Sequence, residues 1–241
     1  MYRIQRIKEI DSTNSELKRL ALLGAPTGTV LIADRQTAGR GRLGRAFFSP
    51  AESGLYMSIL IRPVSLDNVG LITTFTAVAV ARALEKHGAS PFVKWVNDLV
   101  LDGKKVCGIL VEGGVYEGQP FAVVGIGVNV KKTAFPEELS PIAVSLEQVL
   151  GKAPSPQSLA EDILAELAAI DPRCPRDPKG LMEEYRRRSC TLGRPVRVQP
   201  FDGQAYDAVA TAIEDDGALT VLTDDGRSLR VFSGEVSVRP I

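Results

Sequence analysis

The sequence is poor in the residues that build disulfide frameworks and metal centres. Its 241 residues include three cysteines and one histidine. Cys107, Cys174 and Cys190 lie far apart and form no CxxC pair, so they predict neither a disulfide framework nor a zinc site. His87 cannot by itself supply the usual set of zinc ligands. Because isolated cysteines are typical of reducing compartments, we expect a cytoplasmic protein.

The sequence also lacks an excess of charge of either sign and lacks long apolar runs. Lys plus Arg and Asp plus Glu number 29 each, which argues against a protein whose main partner is nucleic acid. No apolar run reaches membrane-spanning length, and the N-terminus has no signal-peptide pattern. We therefore expect a soluble protein with no membrane partner.

Apolar residues make up 44% of the chain, enough for one domain of ordinary size and a small second one. Apolar periodicity predicts strands at 2–7, 29–34, 55–62, 99–101, 105–112 and 121–130, and helices at 13–24, 68–88, 157–170 and 179–190. From residue 192 the pattern changes to short strands at 195–199, 206–213, 218–222 and 228–238. We expect a larger domain at 1–190 and a compact β domain at 191–241.

The most unusual stretch is QTAGRGRLGR at residues 36–45. It places three glycines and three arginines within seven residues, with no carboxylate nearby. Glycine lets the backbone approach a ligand, and arginine offers a charged fork of donors, so the loop is suited to binding an anion. It matches the dinucleotide pattern GxGxxG, but a second strand rather than a helix follows it. The Rossmann mechanism needs that helix, and the P-loop pattern is absent.

A second stretch, KWVNDLVLDGKKVCGILVE at 94–112, predicts a hairpin. Asp102 and Gly103 lie between two apolar runs and favour a tight turn. Because neighbouring residues of a strand point to opposite faces, either Lys104 or Lys105 faces the core side, but not both. Lys105 leads directly into an apolar strand, so an inward-facing ammonium there requires an anionic partner.

Two further sets of polar residues are each compatible with a structural role or a role in ligand binding. Ser12, Thr13 and Asn14 precede a predicted helix, where Thr13 with Glu16 fits a capping box. Capping needs one side chain and not three, so either capping alone or an added ligand contact is compatible with the pattern. Asn129 ends an apolar strand, where it would either line a site or make structural hydrogen bonds.

In combination, these motifs resemble those of the biotin protein ligase family. The resemblance rests on QTAGRGRLGR, on KWVND at 94–98 and on KKVCGILVE at 104–112. STN at 12–14, GIGVN at 125–129 and GEVSVR at 234–239 extend it over nearly the whole chain. It implies an α+β fold with a mixed, largely antiparallel sheet and helices, related to class II aminoacyl-tRNA synthetases, followed by a small C-terminal SH3-like β-barrel.

The resemblance also implies a reaction. The biotin carboxylate attacks the α-phosphate of ATP, with Mg²⁺, to give biotinyl-5′-AMP and pyrophosphate. A lysine of a biotin carboxyl carrier protein then takes the biotinyl group and releases AMP. The implied partners are biotin, ATP and the carrier protein, with no DNA and no membrane, and the family admits a homodimer.

The resemblance assigns catalytic roles to Lys105, Arg40 and Asp98. It assigns biotin binding to a larger set, comprising Ser12, Thr13, Asn14, Gln36, Gly39, Arg40, Gly41, Arg42, Lys105 and Gly108. It assigns ATP binding to Arg40, Arg42, Phe47, Asn97, Lys105 and Asn129. Asn97, Asp98 and Asn129 would face the nucleotide, its metal or the attacking lysine, and the metal ligands are left unassigned. Phe47 stands where the family often has a tryptophan that stacks on adenine.

Three positions depart from the family pattern: Leu43 replaces a frequent arginine, Val96 a usual proline, and Cys107 a small residue. Other functions compete with the ligase interpretation. A lipoate protein ligase shares the fold and the chemistry, but the arginine loop fits the biotin family better. A DNA-binding repressor would need a winged-helix domain, for which eleven residues before STN leave no room. A non-catalytic biotin sensor would not need Lys105, Arg40, Asn97 and Asp98.

Overall fold

The fold consists of a large mixed sheet with helices on both faces and a small second sheet. The computed structural model describes residues 2–62, 69–200, 203–232 and 235–238. The strands are β1 (Arg3–Ile10), β2 (Thr29–Gln36), β3 (Gly54–Ile61), β4 (Phe92–Lys94), β5 (Asp98–Leu101), β6 (Lys104–Tyr116), β7 (Gln119–Asn129), β8 (Pro195–Gln199), β9 (Tyr206–Ile213), β10 (Leu219–Thr223), β11 (Ser228–Val231) and β12 (Glu235–Val238). The helices are α1 (Thr13–Ala21), α2 (Val69–Lys86), α3 (Leu146–Leu150), α4 (Pro156–Ile170) and α5 (Pro178–Arg188).

The large sheet has the strand order β1-β2-β3-β7-β6-β5-β4. β1 and β2 are parallel and the other pairs are antiparallel, which confirms the predicted fold class. One face carries α2, α4 and α5 over the main core, in which Phe75, Val78 and Leu84 are at most 2% exposed. The other face carries α1, which buries Leu17 and Ala21 against Leu60 and Val123. The two faces therefore hold two separate apolar clusters.

The small sheet has the order β11-β10-β9-β8-β12, and all its pairs are antiparallel. Its apolar residues continue the main core, so the two sheets share one interior. A buried hydrogen bond joins them, in which the indole nitrogen of Trp95 donates to the carbonyl of Gly217 at 3.0 Å. Trp95 also donates its backbone N–H to the Thr191 hydroxyl at 3.0 Å. These two hydrogen bonds therefore hold the segment 94–96 against the C-terminal domain.

Several element predictions need correction. β1 continues to Ile10 because its whole length pairs with β2. Ser12, and not Thr13, caps α1, since its hydroxyl accepts the N–H of Ser15 at 3.4 Å. The single strand predicted at 228–238 is two strands, because β11 pairs with β10 while β12 pairs with β8. The sequence interpretation also missed β4 and α3. The predicted helix start Asn68 and the motif residues Gly234 and Arg239 lie outside the described residues.

An ion-pair cluster joins α2 to α5 and gives a testable pH dependence. Glu184, with its side chain 15% exposed, accepts hydrogen bonds from Arg82 at 3.2 Å and Arg188 at 3.0 Å. Burial by itself raises the pKa of Glu184, but the hydrogen bonds from Arg82 and Arg188 outweigh it and hold this pKa below its ordinary value. A lowered folded-state pKa contributes stability that is present above the unfolded pKa and is lost as pH falls through the folded one.

We therefore expect Glu184→Gln to lower the free energy of unfolding by about 1–2 kcal/mol near neutral pH, since the group is only partly buried. The difference from the unmodified protein should shrink as the pH falls through and below the ordinary glutamate range. Urea unfolding over a pH series measures it, with the exposed neighbour Glu183→Gln as the control. A difference that stays constant with pH would contradict the assignment.

Candidate active site

A shallow cavity lies on the α1 face of the large sheet. Leu60 and Val123 face α1, so the alternation of strand residues turns Ser58 and Gly125 to the same side. Ser58 pairs with Gly125 across the sheet, and Gly125 pairs with Leu110. The next row along the strands contains Tyr56, Gly127, Gly108 and Asp98, each paired with its neighbour. The glycines leave a depression in the sheet at these rows.

That depression is already partly filled by side chains. A Cβ atom on Gly125 would collide with Asn14 Oδ1, and one on Gly127 would collide with the Phe47 ring. The remaining cavity measures about 50 Å³, well below the roughly 300–1,000 Å³ of a typical ligand pocket. Entry of a substrate larger than a few atoms therefore requires movement of the side chains or loop above the sheet. The cavity is lined by Ser12, Thr13, Asn14, Gln36, Arg40, Gly41, Arg42, Phe47, Tyr56, Met57, Asn97, Lys105, Gly108, Ile109, Leu110, Gly125, Ile126 and Gly127.

The start of α1 forms one wall of the cavity. Thr13 donates its backbone N–H to Gln36 Oε1 at 2.8 Å, and its hydroxyl lies 3.1 Å from the same atom. The Ser58 hydroxyl lies 2.7 Å from Thr13 Oγ1 and 2.6 Å from Asn14 Oδ1. Ser12, Thr13 and Asn14 are each at most 4% exposed. Ser12 alone serves as the cap, and the other two side chains line the cavity with their polar groups bonded to neighbouring residues.

The arginine loop, residues 39–45, forms a second wall. Gly41 donates its N–H to Arg45 O at 2.8 Å, and Phe47 donates to Gly39 O at 2.9 Å, so the loop folds back on itself. It contains one 3-10 turn, Arg42–Gly44, and leads into β3 without an α-helix, as predicted. The guanidinium of Arg40 lies 3.3 Å from Glu112, and that of Arg42 donates to Asn97 Oδ1 at 3.1 Å. Both arginines line the cavity.

The β5–β6 hairpin forms the third wall and turns as predicted, with Leu101 paired to Lys104. Lys105 enters the cavity, and its ammonium lies 2.7 Å from Asp98 Oδ1, so the expected anionic partner is Asp98. The same ammonium lies 5.8 Å from the centre of the Phe47 ring. Lys104 instead reaches the carbonyl of Ser140 at 3.4 Å. The two lysines thus have different surroundings despite being adjacent.

The predicted asparagines differ in position. Asn97 lines the cavity, accepts from Arg42 and donates to Ile109 O at 2.8 Å. Asn129 lies outside the cavity lining, and its amide nitrogen donates to the carbonyls of Lys105 at 3.3 Å and Val144 at 3.2 Å. Asn129 could either line a site or make structural hydrogen bonds, and in the structure it makes structural hydrogen bonds.

The structure brings most of the predicted site residues together. Gly39 and Asp98 lie beside the lining residues, through contacts to Phe47 and Lys105. Phe47 packs over Gly108 and Gly127, and its ring lies edge-on to that of Tyr56 with 6.4 Å between the ring centroids. Its contact with adenine remains a prediction.

Sequence reasoning missed the cavity residue Tyr56 and also Ser58, which bonds to Thr13 and Asn14, and it gave no role to Gly125, Gly127 or Glu112. Tyr56 is buried, which raises the pKa of its phenol, and its hydroxyl donates to Pro50 O at 3.0 Å. The alternating glycines of GIGVN were the available sequence indication of a cleared sheet face.

The chemistry of the site follows from its charges. Three cationic side chains, Arg40, Arg42 and Lys105, converge on a small-residue floor beside polar groups of α1. This combination suits a ligand with an anionic end and a polar, uncharged end. Among the described residues, no three His, Cys, Asp or Glu side chains gather to hold a metal ion by themselves. None of the described helices is both long and apolar enough to cross a bilayer.

Comparisons with known proteins agree with this geometry. Residues 7–130 match the sequence profile of the Biotin/lipoate A/B protein ligase family, and residues 191–239 match that of the Biotin protein ligase C terminal domain. The chain is 36% identical to the biotin--[acetyl-CoA-carboxylase] ligase of Mycobacterium tuberculosis, over 95% of this chain and 86% of that protein. It is 34% identical to the bifunctional ligase/repressor BirA of Bacillus subtilis, over 95% of this chain and 72% of that protein.

Solved structures give the same result for the fold. The biotin protein ligase from Aquifex aeolicus in complex with biotin and ATP superimposes with a TM-score of 0.81, at 30% identity and over 99% of both chains. A biotin protein ligase from Leishmania major in complex with biotinyl-5-AMP has a TM-score of 0.65 at 22% identity, a likeness of fold alone.

Proposed function

Since the chain belongs to the biotin/lipoate A/B protein ligase family and is an ATP-dependent biotin protein ligase, we propose specific roles for the residues of its cavity. The reaction joins biotin to AMP and then transfers the biotinyl group to a protein lysine. The observation that carries the proposal is the position of Lys105, which lines the same cavity as the two loop arginines.

The first step brings two anions together. A carboxylate oxygen of biotin forms a bond to the α-phosphorus of ATP, and the bond from that phosphorus to the pyrophosphate oxygen breaks. Negative charge grows on the phosphate oxygens as this happens, so cations that are already in place lower the barrier. Lys105, Arg40 and Arg42 supply those cations, since all three line the cavity.

Biotin recognition falls to the wall formed by α1. The ureido ring of biotin has two N–H donors and one carbonyl acceptor, and it needs buried partners of the opposite kind. Ser12, Thr13, Asn14 and Gln36 provide hydroxyl and amide groups to the cavity lining. Gly39, Gly41 and Gly108 let the backbone approach the ligand.

ATP recognition is assigned to Phe47, Asn97 and the loop arginines, which line the same cavity. Phe47 offers a ring for adenine, and Asn97 offers an amide already bound to Arg42. Asn129 supports the hairpin through its bond to the carbonyl of Lys105. Mg²⁺ bound with ATP takes one or two protein carboxylates besides phosphates and water, and Asp98, at 24% side-chain exposure beside Lys105, fits as such a ligand. When bound, the ion neutralises charge on the phosphate oxygens.

In the second step the amine of a carrier lysine attacks the carbonyl of the mixed anhydride, and AMP leaves. We propose a biotin carboxyl carrier protein as this partner, because the Mycobacterium relative is named for a carboxylase. The proposal includes a cytoplasmic location, no specific DNA binding and, as an open alternative, a homodimer. It also takes 1–190 as the ligase domain and 191–241 as the small β domain.

Pyrophosphate release tests the function directly. We expect release when the protein is mixed with ATP, Mg²⁺ and biotin, and much slower release with lipoate, because lipoate lacks the ureido ring that α1 would bind. Comparable rates with both acids, or a preference for lipoate, would favour a lipoate protein ligase. No release with either acid would contradict the proposed chemistry.

A further inference from the structure

Glu112 is a charged residue beside the cavity, and the proposed reaction gives it no role. Its carboxylate, 16% exposed, contacts three side chains, two from α1 and one from the arginine loop. Oε2 accepts from Asn14 Nδ2 at 3.0 Å. Oε1 lies 3.4 Å from the ammonium of Lys18 and 3.3 Å from the guanidinium of Arg40. One carboxylate thus contacts both the biotin wall and the arginine loop.

The two contacts differ in rigidity. Asn14 is 4% exposed, and its amide is also held by Ser58 at 2.6 Å and by the Leu110 carbonyl at 3.2 Å. Glu112 itself lies within β6, where it pairs with Val123 of β7. The carboxylate therefore has a fixed position.

Arg40, by contrast, belongs to a loop whose backbone bonds are largely its own, from Gly41 to Arg45 and from Phe47 to Gly39. Its side chain is 45% exposed. The Arg40 guanidinium contacts the Glu112 carboxylate and donates to the Ser15 hydroxyl at 3.4 Å. A fixed carboxylate that faces a half-exposed cation on a short loop is placed to anchor that loop.

We propose that Glu112 is a positioning residue that holds Arg40 over the cavity and ties the arginine loop to the biotin wall. The anchoring is a property of the ligand-free protein, and its effect on adenylate formation rests on the proposed function. Orienting Arg40 before the phosphate arrives removes a reorganisation that the transition state would otherwise require.

Backbone amide exchange in the ligand-free protein tests the anchor. Glu112→Gln keeps an acceptor for Asn14 and removes the charge that attracts Arg40. We expect exchange across residues 40–46 to rise roughly two- to fivefold, the scale for a partly exposed ion pair. Lys18→Met removes the other cation on the same oxygen and should leave this exchange unchanged. Unchanged exchange in Glu112→Gln, or an equal rise in Lys18→Met, overturns the proposal.

A double-mutant cycle tests the path of the effect. Glu112→Gln as a single substitution should slow biotin-dependent pyrophosphate release about three- to tenfold. Added to Arg40→Met, it should slow the release less than about twofold further. Equal slowing in both backgrounds would show that Glu112 acts independently of Arg40 and would overturn the proposal. Absence of pyrophosphate release in the unmodified protein would contradict the proposed function, while the exchange result would still decide the anchor.

Discussion

Lys105→Ala should slow adenylate formation by about a hundredfold or more, the scale for the loss of one preorganised charged donor. Its ammonium lies 2.7 Å from Asp98 inside the cavity, where it can offset the repulsion between the biotin carboxylate and the phosphate. The fold should survive, because the backbone of Lys105 bonds to Ile142 at 2.8 Å and to Val144 at 2.9 Å. Pyrophosphate release measures the rate, and circular dichroism checks the fold.

Lys104→Ala is the matched control for this prediction. Lys104 is the same residue type one position earlier, but it bonds to the carbonyl of Ser140 instead of entering the cavity. Its replacement should have a much smaller effect on the rate. If Lys104→Ala proves the more damaging change, the placement of the catalytic lysine is wrong by one residue.

Gly125→Ala should weaken biotin binding about ten- to hundredfold. A Cβ atom there would collide with Asn14 Oδ1, so the Asn14 side chain would have to turn away. Turning it breaks the contacts of its amide with Ser58 and with Glu112. An Asn14 side chain that has turned away cannot hydrogen-bond biotin, and the loss of such a bond to a buried polar group costs about 1–3 kcal/mol, the scale of this change in affinity. Isothermal titration calorimetry with biotin measures it.

Gly70→Ala is a suitable control for that substitution. A Cβ atom at Gly70 would lie 3.6 Å from Asp216 O, an ordinary contact, within α2 and far from the α1 face. Biotin affinity should remain unchanged in this variant. Full biotin affinity in Gly125→Ala would show that Asn14 has no part in recognition.

The sequence was sufficient to predict those parts of the site that depend on short-range patterns. Asp102 and Gly103 predicted the hairpin, and alternation along the strand then separated Lys104 from Lys105. The resemblance supplied the arginine loop and the α1 wall, whose residues the structure brings together around one cavity. The absence of a helix after the loop followed from its sequence alone.

Features that depend on distant pairing were not predictable. Ser58 looks like an ordinary strand serine until α1 places Thr13 and Asn14 against it, 45 and 44 residues away in sequence. The split of 228–238 into two strands results from pairing with β10 and β8, which no local propensity encodes. Ser12 and Thr13 are both good capping residues, and the choice between them depends on Gln36, which engages Thr13.

The two faces of the central sheet have a consequence for how such a protein can change. Along β7, Val124 and Val128 are buried in the main core, while Gly125 and Gly127 floor the cavity. Selection therefore acts differently on adjacent residues of this strand: one must pack in the core, and the next must fit the shape of the ligand. A new small-molecule specificity could evolve, or be engineered, by altering every second residue of β3, β6 and β7 while the packed face keeps its sequence.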